Sequence, residues 1–175
     1  MIFGAGPLGH LHRQLAHIYG ASEVILIENS PERIAFAKKI GVDYLIDSTK
    51  DDPVEAVKEI TGGADVVIPA CSDPEVLAQG IEMLNKRGRI VFFSGLPHGY
   101  ENIPIDHNMI HYKELQISGA YGCTSEQNRK ALKILAARKI AVEELITHQI
   151  SLDELINGFE LVDAHKAMEI VVTSF

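Results

Sequence analysis

Apolar and polar positions alternate along the chain in blocks of two kinds. Short β-branched runs end in turn residues, and each is followed by a segment whose apolar positions repeat at helical spacing. "MIF" leads into a segment from Pro7 with Leu8, Leu11, Leu15 and Ile18 on one stripe. "EVILIE" is apolar between its acidic ends, as a strand buried on both faces requires. "NSPERIAFAKKIG" follows as a helix. Ser30 suits its N-cap, Pro31 its first turn and Gly41 its C-terminal stop. "DYLID", "ADVVIPAC" and "GRIVFFSGL" are further strands. "DDPVEAVKEITGG" and "SDPEVLAQGIEMLNKRG" are the helices between them.

Strands alternating with helices predict βαβ units and a parallel sheet. Right-handed crossovers then narrow the fold class to α/β, a doubly wound sheet. The regularity breaks after Leu96. "PHGYENIPIDHNMIHYKE" reads as a polar loop before a sixth strand, "LQISGAY", and a helix from about Thr124 to Ala137. The tail reads as a strand, "LITHQIS", a capping box of Ser151 and Glu154, a helix, and a last strand, "AMEIVVTSF".

One turn carries chemistry. Gly4, Gly6 and Gly9 form G-x-G-x-x-G after a very short strand, and they open a helix. An acid, Glu28, ends the next strand near the usual offset of about twenty residues. Each residue has a physical reason. Gly4 permits the tight turn, Gly6 lets a pyrophosphate approach the backbone, and Gly9 lets helix and sheet pack closely. Pro7 lacks an N–H where none is needed. The free N–H groups beyond it, with the positive end of the helix dipole, suit phosphates. Glu28 suits both ribose hydroxyls of an adenosine and repels a 2′-phosphate, which favours NAD over NADP. Arg33 suits the adenine face, and an arginine there also keeps NADP open.

The 175 residues suit one domain with a substantial core, or one plus part of another. The net charge of -8, without a run of basic residues, argues against nucleic acid. No apolar stretch is long enough for a bilayer and there is no signal peptide, so a cytoplasmic location is expected. Cys71 and Cys123 match no metal or disulfide pattern and read as buried thiols. His107 and His111 share a segment with Asp106, but no zinc-binding spacing occurs. His10 and His12 lie near the phosphate-facing helix start, and a surface role is expected of both. No tyrosine has a lysine four residues on, and no P-loop exists, which excludes two other nucleotide-dependent chemistries. No nucleophile–base pair stands out, so no catalytic residue and no metal ligand are expected within these residues.

The segments "GAGPLG", "VILIENSPERIAFAKKIG", "GADVVIPAC", "GRIVFFSGLP", "IDHNMIHYKELQISGAYG" and "KAMEIVV" together resemble the zinc-type medium-chain alcohol dehydrogenases, in particular the sorbitol and threonine dehydrogenase branch. The resemblance implies a Rossmann domain of six parallel strands in the order 3-2-1-4-5-6. It implies NAD bound by Gly4, Gly6, Pro7, Leu8 and Gly9 at the pyrophosphate and by Glu28 and Arg33 around the adenosine. It places Ser94, Gly95 and Leu96 beside the nicotinamide, and Ala120 and Tyr121 at its carboxamide. Residues 1–141 would form the NAD-binding domain, and 142–175 a segment of a catalytic domain otherwise absent.

By the same resemblance, the activity is oxidation of a secondary alcohol or polyol by hydride transfer to NAD, with zinc held only in the missing N-terminal part. Met1 then reads as a truncation point, and the chain alone as inactive. The tail strands would lack partners and pack poorly. A homo-oligomer is expected, since family members pair subunits near the sixth strand. Two positions depart from the branch: Gly122 stands where an arginine is common near substrate, and Glu169 where a basic residue often meets the pyrophosphate. The alternatives are an NAD-binding module without activity of its own, and a zinc-independent NAD(P)H quinone or enoyl reductase, which Glu28 counts against.

Overall fold

The computed structural model describes all residues, Met1–Phe175. Six strands alternate with helices: β1 (Ile2–Phe3), α1 (Pro7–Ile18), β2 (Ile25–Glu28), α2 (Pro31–Ile40), β3 (Tyr44–Asp47), α3 (Pro53–Thr61), β4 (Ala64–Pro69), α4 (Pro74–Glu82), β5 (Leu84–Phe92), α5 (His107–Lys113) and β6 (Gln116–Gly119). The sheet is parallel throughout and ordered β3-β2-β1-β4-β5-β6, as expected. After α6 (Ser125–Ala136), the strands β7 (Ile146–Ser151) and β8 (Glu169–Ser174) pair in a separate two-stranded sheet around α7 (Leu155–Asp163).

Strand alternation splits the core between the two faces of the sheet. Phe3, Ile25 and Ile27 pack with Val54, Val57 and Ile81 on one face. Ile2, Val24 and Leu26 pack with Ala5 and Ala37 on the other. β2 therefore has four buried residues in a row, which is why its sequence shows no polar alternation.

Helix starts follow the sequence signals closely. Side-chain oxygens of Ser30, Asp52, Asp73, Asp106 and Thr124 cap α2, α3, α4, α5 and α6 by accepting from first-turn N–H groups. Thr124 forms a full capping box with Gln127, and at the start of the tail helix the Glu154 carboxylate accepts from the Ser151 N–H and hydroxyl at 2.9 and 2.8 Å.

Two readings are corrected by the structure. The segment after Leu96 is not all loop, because α5 lies within it. Asp106 caps this helix, while Met109 and Ile110 pack on the core. The fourth helix stops at Glu82, and β5 begins at Leu84 rather than near Gly88. Met83 and Leu84 are both about 1% exposed, and the Met83 carbonyl accepts from the Ala64 N–H, so the chain is already joined to β4 there. The extra residues before Arg89 are absorbed as an irregularity in the β4–β5 ladder, with Arg87 at φ 63°.

In the tail, Leu145, Ala167 and Met168 are buried. The helix α7 nevertheless leaves Ile156 and Phe159 exposed, at 71% and 59%. No helix of the chain is long and apolar enough to cross a membrane.

Candidate dinucleotide site

Six parallel strands place all their C-terminal ends on one edge of the sheet, and the candidate residues collect there. The glycine turn follows β1, Glu28 ends β2, Ser94–Leu96 follow β5, and Ala120–Tyr121 follow β6. The Ala120 N–H donates to the Phe92 carbonyl at 3.0 Å, which holds the two distal segments side by side. Tyr121 is fully exposed and Leu8 is 52% exposed.

The turn itself is tightly built. Gly4 has φ +92°, a conformation that disfavours any side chain, and its N–H donates to the Ile27 carbonyl at 2.8 Å. A Cβ on Gly9 would collide with the Gly4 carbonyl oxygen, so helix α1 can approach the strand only because Gly9 has no side chain. Gly6 is the N-cap of α1 and Pro7 its first residue. No side chain caps α1 and its first turn holds no acid. Its leading N–H groups and the positive dipole end are left for an anion. The cradle fits a dinucleotide's phosphates: it lacks Cβ atoms on the approach side and presents uncapped donors.

Glu28 is only 5% exposed. Its Oε2 accepts from the Ala5 N–H at 2.7 Å, and its Oε1 from the Asn29 and Ser30 N–H groups at 2.8 and 2.9 Å. The Arg33 guanidinium lies 3.9 Å from Oε2 and packs over Gly6, 3.5 Å from where a Cβ would stand. Its Nε is buried without a hydrogen-bond partner. Arg33 therefore covers the face of Gly6 that a pyrophosphate would approach, and binding there requires the side chain to swing outward.

His10 is not a surface residue. It is completely buried in α1, edge-on to Phe36, with neither ring nitrogen hydrogen-bonded. Burial, reinforced by the Arg13 charge, pushes its pKa down to about 4. The Ala5 backbone and the Glu28 charge favour the protonated ring, but only weakly. His12 is half-buried against Phe93, and burial lowers its pKa too. The burial of His10 was not legible because an isolated histidine on a helical stripe carries no signal of what packs on it.

The cysteines also differ from expectation: Cys71 is half-buried and Cys123 exposed. Cys71 lies beside Gly4, and burial raises its thiol pKa to about 11. At pH 8 only about one Cys71 in a thousand is then thiolate. Iodoacetamide is expected to label Cys123 first and Cys71 at least tenfold more slowly, as read by peptide mass spectrometry. Equal labelling rates would contradict the burial of Cys71.

No group of three or more His, Cys, Asp or Glu side chains in this chain is arranged to hold a metal ion. A cleft of about 750 Å³ lies at the opposite sheet edge, among residues including Met1, Val24, Ala64, Val66 and Arg89. There β2 and β4 extend past the short β1.

Residues 7–137 match a family model described as zinc-binding dehydrogenase. The chain belongs to the zinc-binding dehydrogenase family. It forms the coenzyme-binding half of the zinc-type alcohol dehydrogenases, and it spans about half the length of the curated relatives it matches. L-threonine 3-dehydrogenase of Rhizobium rhizogenes is 28% identical over 177 aligned positions, covering 100% of this chain and 50% of that protein. The crystal structure of 2R,3R-butanediol dehydrogenase from Bacillus subtilis superposes with a TM-score of 0.84 at 31% identity, covering 98% of this chain and 49% of that one. A zinc-binding dehydrogenase from Sinorhizobium meliloti, solved bound to NADP, gives a TM-score of 0.82 at 30% identity, covering 99% of this chain and 50% of the other.

Proposed function

We propose that this zinc-binding dehydrogenase chain is the NAD(H)-binding portion of an enzyme that oxidises a secondary alcohol or polyol by hydride transfer to NAD. The observation that carries the reading is the uncapped start of α1 behind the turn of Gly4 and Gly6, with the acid Glu28 beside it. Gly4, Gly6, Pro7, Leu8 and Gly9 receive the pyrophosphate. Glu28 and Arg33 border the adenosine, Ser94, Gly95 and Leu96 the nicotinamide, and the Ala120–Tyr121 backbone its carboxamide. NAD supplies the hydride acceptor; these residues bind it, orient it and exclude water. Residues 1–141 form the NAD-binding domain and 142–175 a segment of the catalytic domain. Zinc belongs to the part of the full-length enzyme outside this chain. The names of the threonine and butanediol dehydrogenases, both acting at secondary carbinols, support that substrate class.

NADP is the second reading, favoured by Arg33 at the turn and by the NADP-bound Sinorhizobium structure. The buried Glu28 anion weighs against it, because a 2′-phosphate at this position meets like charge. Titration followed by nicotinamide fluorescence tests the choice. NADH is expected to bind at least tenfold more tightly than NADPH. The reading is overturned by a preference for NADPH or by binding of neither.

A further inference from the structure

The β1–β2 ladder ends at Gly4, whose N–H still reaches the Ile27 carbonyl. The next N–H, that of Ala5, has no strand carbonyl opposite it, and a side chain takes over: Glu28 Oε2 accepts it at 2.7 Å. The other carboxylate oxygen is occupied by the Asn29 and Ser30 amides, which open the loop into α2. The Glu28 carbonyl is fixed in turn, accepting from the Ser48 N–H at 3.0 Å. The carboxylate thus sits at the junction of two loops and is bonded to both. A carboxylate offers about four acceptor positions. Backbone amides fill three, and the Arg33 guanidinium stands over the remaining one on Oε2.

We propose that Glu28 is a positioning residue: its carboxylate ties the Ala5 amide to the loop after β2 and so holds the glycine turn in the form that receives a dinucleotide's phosphates. The ribose meets one remaining acceptor, which Arg33 uncovers when it swings off Gly6. Most of the contribution of Glu28 to binding therefore passes through the turn backbone rather than through ribose contacts. The proposal rests on the dinucleotide reading above.

The test uses the full chain and Glu28→Gln. The amide side chain has one acceptor oxygen, which the two amides at Asn29 and Ser30 claim, leaving an NH₂ facing the Ala5 N–H. Charge-assisted bonds to backbone N–H groups are the strong ones, and a donor facing a donor leaves Ala5 unsatisfied. Without any nucleotide, hydrogen exchange at the Ala5 amide, followed by NMR, is expected to be slow in the native protein and at least tenfold faster in Glu28→Gln. With nucleotide, the variant is expected to lose about tenfold or more in affinity, by the same factor for NADH and for an NADH analogue lacking both adenosine ribose hydroxyls. An unprotected Ala5 amide in the native protein overturns the proposal, and that arm stands even where the variant does not fold. So does an affinity loss seen with NADH but absent with the dihydroxyl-free analogue, which would assign Glu28 to ribose contact alone. Failure of the native protein to bind NADH at all would instead remove the dinucleotide reading and leave the exchange result to judge the turn.

Discussion

Gly9→Ala is expected to lower stability by about 3 kcal/mol and to abolish dinucleotide binding, although helix propensity alone points the other way. Gly9 lies inside α1, where alanine is favoured over glycine by about 1 kcal/mol. The new Cβ, however, would overlap the Gly4 carbonyl oxygen. Overpacking costs typically about 1–3 kcal/mol, and more where the neighbour cannot move. Here it is backbone, in a residue already at φ +92° and bonded to β2. Relief requires α1 to lift away from β1, which carries the leading N–H groups of the helix out of register with the turn. Thermal unfolding and NADH titration read the two effects. Gly95→Ala, with open space around it and no positive φ, is the control and is expected to stay within about 0.5 kcal/mol of the native protein. A Gly9→Ala protein as stable as that control would remove the argument for close helix–strand contact.

Acidification is expected to destabilise the native protein through His10, and His10→Leu to flatten that loss. The buried ring has its pKa near 4, against about 6.5 in the unfolded chain. The depressed native value means that the folded state holds the neutral form. Above pH 6.5 neither state binds the proton, and the stability of the folded form is complete. As pH falls from 6.5 towards 4, the unfolded chain takes up a proton that the folded chain refuses, and stability declines. The difference reaches about 2 kcal/mol at pH 5 and about 3 kcal/mol near pH 4. Urea unfolding of both proteins at pH 7.5 and pH 5 measures it. The change between the two pH values is expected to be about 2 kcal/mol larger for the native protein, a comparison from which any packing cost of leucine cancels. Equal pH slopes would mean that His10 is charged or solvated in the folded state.

The elements whose physics is local were legible in the residues. Ser30 announces its helix because a cap is satisfied within three residues of itself, and Asp52, Asp73 and Thr124 cap theirs by the same rule. The apolar run from Val24 to Ile27 announces a strand covered on both faces. The α5 helix does not show in the apolar pattern, although its cap, Asp106, obeys the same rule. Its polar surroundings hide a seven-residue helix that Met109 and Ile110 anchor to the core and Lys113 ties to the Glu82 and Leu84 carbonyls. The boundary at Met83 does not show in the local sequence because its cause, pairing with Ala64, lies across the sheet.

The glycine turn marks the same division. Its spacing, the proline behind it and the acid at the end of β2 are local facts, and by themselves they predict an anion-binding turn on a parallel sheet. Only the tertiary structure decided what the acid touches. Glu28 and Ala5 are distant in sequence and meet because β1 and β2 pair in register, Phe3 against Ile27, so the next positions of the two strands face each other. The same pairing, with α2 laid against α1, sealed His10 from water and brought Arg33 down over Gly6. Hydrogen bonds between neighbours along the chain can be read from spacing. Those that depend on how strands align and how closely helices pack require the three-dimensional arrangement that creates them.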